Sequence, residues 1–330
     1  MYNFFEKKEL SIPESNNAFN FVLHKILMDN ILLIFICLLI GVTFQYVKAL
    51  PKNMHVVLNQ FVIYVSLPGL ALYYIPKIEI STALLYPLGI AWLSFGLSFL
   101  FFYTLGKYLG WSKKLTGCLI LTAGLGNTSF VGFPIIEALY GSKGLETAIV
   151  IDQPGTFVVM ATFGIIVATL FSRETLNANG IVKKILLFPP FIAFAIALSL
   201  NIFKVDFPGD FQTVFQRIGG TVTPIALIAV GLQLKIERKS KHWGFLGLGL
   251  LFKLMITPLF FFILYKKIFG ASGLMIDVSI LESAMAPMIT ATIIASTYGL
   301  KPKLSSMMVG IGIPLSFITL AFWYWILLNF

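Results

Sequence analysis

Asp152 and Gln153 stand near the start of one long apolar run, Glu282 stands within another, and two of the apolar runs carry short polar interruptions. The first interruption reads Gly126-Asn127-Thr128-Ser129-Phe130-Val131-Gly132-Phe133-Pro134, and the second reads Glu282-Ser283-Ala284-Met285-Ala286-Pro287-Met288-Ile289-Thr290. Pro134 and Pro287 each suit the first turn of a new helix, where a missing N–H costs nothing. Each interruption then offers a half-helix N-terminus. Two such ends facing one another make a site for an anion such as a carboxylate, because free N–H groups and positive dipole ends converge there. Asn127, Thr128 and Ser129 would add neutral polar groups at one break, with Thr290 and Thr292 at the other. The alternative is that the two prolines only kink packed helices, since proline is tolerated within membrane helices.

Charge at membrane depth is costly, about 2.5 to 3.5 kcal/mol on insertion scales, so a buried carboxylate there calls for a reason. Asp152, in Asp152-Gln153-Pro154, could carry a proton or neutralise a cation. The competing reading is a satisfied structural carboxylate near the membrane surface. Glu137 follows Pro134 by three residues and reads as an acid favouring a helix start. Gln60 and Gln216 could contact substrate or serve as interhelical glue. Lys253 is a counterion for a carboxylate or a side chain snorkelling to the interface, the commoner outcome.

These side chains need a bilayer and helices to hold them. With 58% hydrophobic and 12% charged residues and a mean hydropathy of +0.90, the chain is an integral membrane protein. Apolar stretches long enough to cross a hydrocarbon core of ~30 Å recur throughout. They predict ten spans: 31–47, 56–75, 83–105, 115–139, 147–171, 185–202, 211–232, 243–265, 274–297 and 305–328. Runs such as Ile31-Leu32-Leu33-Ile34-Phe35-Ile36 lack the alternation of a barrel strand, so the fold class is all-α. Trp243, Trp323 and Trp325 near span ends read as interfacial belting.

Loops after odd-numbered spans carry fourteen basic residues against eight on the other side, which places both termini outside the cytoplasm of a cell-membrane protein. The formal charge of +10 is thus topogenic, and no nucleic-acid partner is expected. Residues 1–29, with Glu6, Glu9 and Glu14 and no small-residue cleavage site, read as a tail or an interfacial helix rather than a cleaved leader. Cys37 and Cys118 are too few for a disulfide framework or a zinc site.

A weak internal repeat is present. Gln60 precedes Pro68 by eight residues, as Gln216 precedes Pro224, and both broken spans are followed by Tyr-Gly, at Tyr140-Gly141 and Tyr298-Gly299. Residues 31–171 and 185–328 then form two five-span repeats, necessarily inverted because five is odd. Interrupted helices at matching positions, here spans four and nine, are the pattern of secondary transporters with a midplane site. Pro68-Gly69 and Pro224 would allow bending in the second and seventh spans.

Enzyme readings fare poorly. His24, His55 and His242 all lie outside spans or at their edges, leaving no buried base. No GxxxxGK[ST] phosphate loop is present, so transport must run on a gradient or downhill. No cofactor is expected.

The stretch from Gly126 to Gly141 resembles the signature of the auxin efflux carrier family, whose bacterial members are permeases for small carboxylates. Ala284-Met285-Ala286-Pro287 through Tyr298-Gly299-Leu300-Lys301-Pro302 is similar to the family's C-terminal end. The resemblance implies one transporter domain over 1–330, with the ten-helix fold of bile-acid symporters in which two broken helices cross. Spans 1, 2, 6 and 7 would form a scaffold, and spans 3–5 and 8–10 a transport domain. Read from the residues themselves, the candidate substrate site is Asn127, Thr128, Ser129, Pro134, Pro287, Thr290, Gln60 and Gln216, and the candidate coupling residues are Asp152, Gln153 and Glu282. The similar symporters further imply sodium at Asn127 and Glu282, and homodimers are common among such proteins. Ala286 stands before Pro287 where the family commonly has Met or Leu, which shifts the half-helix start by one residue. The short 172–184 loop lacks the hydrophilic insertion of many plant carriers and favours a prokaryotic permease.

Overall fold

The computed structural model describes residues 32–51, 53–172, 187, 189–233 and 242–330. The expected interfacial helix within 1–29, the 172–184 loop after its first residue, the start of the sixth span and the basic loop 234–241 lie outside the described residues.

The described residues are helical, with no strand beyond one isolated bridge. The helices are α1 Leu32–Phe44, α2 Met54–Lys77 and α3 Thr82–Tyr108, α4 Lys113–Gly124, α5 Thr128–Phe171 and α6 Pro189–Ile202. There follow α7 Gly209–Gln233 and α8 Trp243–Ile268, α9 Leu274–Ser283, α10 Ile289–Thr297 and α11 Pro302–Asn329. Six of them (α2, α3, α5, α7, α8 and α11) are long and apolar enough to cross a membrane. At 44 residues, α5 would measure about 66 Å if straight, twice a bilayer core. It bends at Gly141, whose φ of 64° and ψ of −160° leave helical space, and folds back on itself.

Three π-helical stretches, Val62–Ser66, Thr128–Gly132 and Phe252–Ile256, each end two residues before a proline, at Pro68, Pro134 and Pro258. In all three the residue just before the proline donates its N–H to the carbonyl five residues back, Leu67 to Val62, Phe133 to Thr128 and Thr257 to Phe252, which is the bond of a π turn.

Packing falls into two groups. α2 packs against α6 and α7, with Ser66 and Thr221 hydroxyls 2.7 Å apart across the α2/α7 contact. α3 packs on α4, α5 and α9, and α10 on α4 and α11. Trp323 was expected at the interface, but it is buried and donates to the Leu254 carbonyl at 2.9 Å. A buried indole N–H needs an acceptor, and the Leu254 carbonyl offers one because Pro258, four residues on, has no N–H.

Where α1 meets α7, small residues let the backbones touch. A methyl at Gly41 would lie 2.8 Å from the Gly231 Cα, and one at Gly231 2.9 Å from the Gly41 Cα. Gly231→Val is therefore expected to destabilise by about 1–3 kcal/mol, read as a drop of several degrees in the melting temperature of purified protein. An unchanged melting curve would mean that this contact yields freely.

Candidate functional site: the crossing of two broken helices

The break between α4 and α5 meets the break between α9 and α10. Gly126 and Pro287 form an antiparallel bridge, in which the Asn127 N–H donates to the Ala286 carbonyl at 2.7 Å and the Met288 N–H to the Leu125 carbonyl at 3.0 Å. Each break thus satisfies backbone groups the other leaves open. Two helices end here, at Gly124 and Ser283, and two begin, at Thr128 and Ile289.

Asn127 caps the first new helix. Its Oδ1 accepts from the Phe130 N–H at 3.2 Å, while its Nδ2 is buried with no partner among the described residues. The Thr128 and Ser129 hydroxyls donate to Asp152 Oδ1 at 2.6 and 2.7 Å. Gln153 Nε2 donates to Asp152 Oδ2 at 2.8 Å, and the Gln153 Oε1 is buried without a partner. Three donors and no acceptor match Asp152 as an ionised, acceptor-only group. Gln153 and Asp152 themselves begin a π-helical stretch, Asp152–Phe157.

Glu282 lies across the crossing, fully buried, and neither carboxyl oxygen has a hydrogen-bond donor among the described residues. It packs on the bare Cα of Gly132, where a methyl would fall 2.6 Å from both oxygens. It interacts electrostatically with Asp152 and with Lys253.

Lys253 differs from its expected place. It does not snorkel: it is 1% exposed and donates to the Ser283 carbonyl at 2.8 Å. The stem of a lysine reaches water only from a backbone near the interface, and Lys253 sits ten residues into α8. That mid-span position was the available signal.

The half-helix also starts earlier than the prolines suggested. It begins at Thr128 under the Asn127 cap, so Pro134 stands at the change from π to α rather than in the first turn. Pro287 lies in the bridge, two residues before α10. Thr290 is half-buried in the first turn of α10, and the Thr292 hydroxyl donates to the Met288 carbonyl. Glu137 lies too far from Thr128 to serve that helix start and instead accepts from the Thr223 hydroxyl of α7 at 2.9 Å.

The two glutamines do not join the crossing. Gln60 is exposed on α2. Gln216 lines a cavity of about 190 Å³ with Tyr73, Tyr74, Phe133, Glu137 and Thr223. A second cavity of about 390 Å³ is lined by His55, Gln233, Ile289, Thr292 and Ser296. The two lie at opposite ends of the α2/α7 pair, some 15 residues of α2 apart, or about 22 Å. Each reaches a residue within one or two turns of a break.

Apolar helices in number, broken helices paired at their breaks and a buried set of charged residues define a multi-pass membrane protein of the transporter class. The chain belongs to the membrane transport protein family, whose profile matches residues 26–324, the auxin efflux carrier family that its two motifs resemble. It is similar to an uncharacterized transporter of Methanocaldococcus jannaschii, 30% identical over 313 residues that cover 92% of this chain and 99% of the relative. An uncharacterized transporter of Methanothermobacter thermautotrophicus is 28% identical over 300 residues, covering 89% and 96%. The chain is a transporter and not an enzyme.

The contact of Gly132 with Glu282 yields a double-mutant test. Gly132→Ala should cost about 1–3 kcal/mol through the forced methyl, and adding Glu282→Ala should recover most of that loss. Additive losses in melting temperature would show that the two sites do not touch.

Proposed function

We propose that this protein is a secondary carrier that moves a small organic anion, a carboxylate, across the cell membrane by alternating access at the crossing. In this reading the chain has ten spans in two inverted five-span repeats, 31–171 and 185–328, with both termini outside the cytoplasm. The first, second, sixth and seventh spans are the scaffold, against which the domain carrying both broken helices moves. The observation that carries the reading is the pairing of the two breaks, which brings the N-termini of α5 and α10 to one buried place flanked by a cavity on either side.

The anion binds the N–H groups and dipole ends at Thr128 and Ile289, with Asn127 Nδ2 as an unused donor. Asp152 is the proton carrier. While ionised it holds the Thr128 and Ser129 hydroxyls; a proton on its carboxyl releases them toward the substrate, so that proton and anion load together. Gln153 keeps the carboxyl in place.

Transport of labelled malonate, malate and indole acetate in proteoliposomes under imposed proton and voltage gradients tests this. Asn127→Ala is expected to lower uptake about tenfold, the equivalent of 1.4 kcal/mol. Asp152→Asn is expected to keep anion exchange and lose proton-driven accumulation. No uptake of any of the three acids under any gradient would overturn the carboxylate reading.

The orientation has its own check, since Cys37 and Cys118 are both buried. Gln216→Cys should react with an impermeant maleimide on intact cells, and Gln233→Cys only after the membrane is opened. The reverse pattern would invert the topology.

A further inference from the structure

Lys253 is the one buried lysine among the described residues, and its ammonium lies against both breaks at once. It donates to the carbonyl of Ser283, the last residue of α9, at 2.8 Å. A methyl at Gly126, just past the end of α4, would stand 3.1 Å from Lys253 Nζ and 3.6 Å from the Glu282 carbonyl oxygen. Two helix C-termini therefore gather at this ammonium, each carrying roughly half a negative charge and carbonyls with no partner in their own helix. The Glu282 carboxyl group, fully buried and without a hydrogen-bond donor among the described residues, is the acidic group nearest to the ammonium in electrostatic terms.

So much negative potential in a dry place requires a cation. We propose that the Lys253 ammonium is that cation: a tethered positive charge that fills, with the protein's own side chain, the place in the crossing that a sodium ion would otherwise take. The inference rests on the transport reading of the same crossing and adds that the carrier neither binds nor needs sodium. Carbonyl oxygens and a carboxylate are hard oxygen ligands suited to an alkali cation. Here the Ser283 carbonyl already accepts from the Lys253 ammonium, and the same charge faces the Glu282 carboxyl electrostatically. The other sodium ligand implied by resemblance, Asn127, already commits its Oδ1 to the helix cap.

A lysine that merely capped α9 would leave no trace of sodium chemistry when removed. A lysine standing in for an ion would uncover an ion site. The test is the melting temperature of purified full-length protein in sodium chloride against choline chloride at equal ionic strength, for wild type, Lys253→Ala and Lys253→Arg. Wild type and Lys253→Arg should melt alike in the two salts. Lys253→Ala should melt lower in choline and gain about 3 °C or more in sodium, with a saturable concentration dependence. Where the alanine variant does not fold, Lys253→Gln, which keeps a donor for the Ser283 carbonyl without the charge, takes its place.

Saturable stabilisation of the wild type by sodium would overturn the proposal. So would a folded Lys253→Ala or Lys253→Gln indifferent to sodium, which would leave Lys253 as a helix cap alone. Anion counterflow by wild-type proteoliposomes is measured separately. Its absence would remove the carrier reading while the salt comparison still decides what Lys253 does.

Discussion

A backbone N–H or C=O left open in hydrocarbon costs several kcal/mol, and that cost organises this protein. Two helices stop in mid-membrane, so their loose ends must find partners within the protein. They find each other, through two hydrogen bonds and a bridge between Gly126 and Pro287. Once that pairing is made, four helix ends are fixed within a few residues of one another, and the charged side chains arrange themselves around the resulting dipoles.

The arrangement sorts charge by helix polarity. At a helix start stand Asn127, the two hydroxyls and, through them, Asp152, the groups that a positive dipole end attracts. At a helix end stands Lys253. The two breaks are not equivalent, however similar their sequences. The first carries a cap and a hydrogen-bonded carboxylate, whereas the second starts at Met288 with no side-chain cap.

Much of this was legible in the residues. Polar clusters with proline inside apolar runs marked both breaks, and the length and composition of the apolar stretches marked an all-helical membrane chain. What misled was proline itself. It was taken to open a helix, but the helix opened six residues earlier, at the Asn127 cap, and runs through a π turn up to Pro134. Trp323 was assigned to the interface by residue type and Lys253 either to a carboxylate or to the interface; both are buried, each donating to a backbone carbonyl. Gln60 and Gln216 matched in spacing yet lie apart from the crossing, since a shared offset records ancestry and helix packing as readily as a shared site.

The fold-back at Gly141 sets a measure for this part of the chain. From Thr128 the helix climbs twelve residues to Tyr140, and from Gly141 it descends eleven to Asp152, so the carboxylate returns to the depth of the hydroxyls it binds. The two arms act as matched rulers. One residue added to either would shift the carboxylate by about 1.5 Å and turn it by about 100°, away from Thr128 and Ser129. The exposed tip around Gly141 looks like a place where length is free to vary, but the buried hydrogen bonds below it fix the number of residues between them.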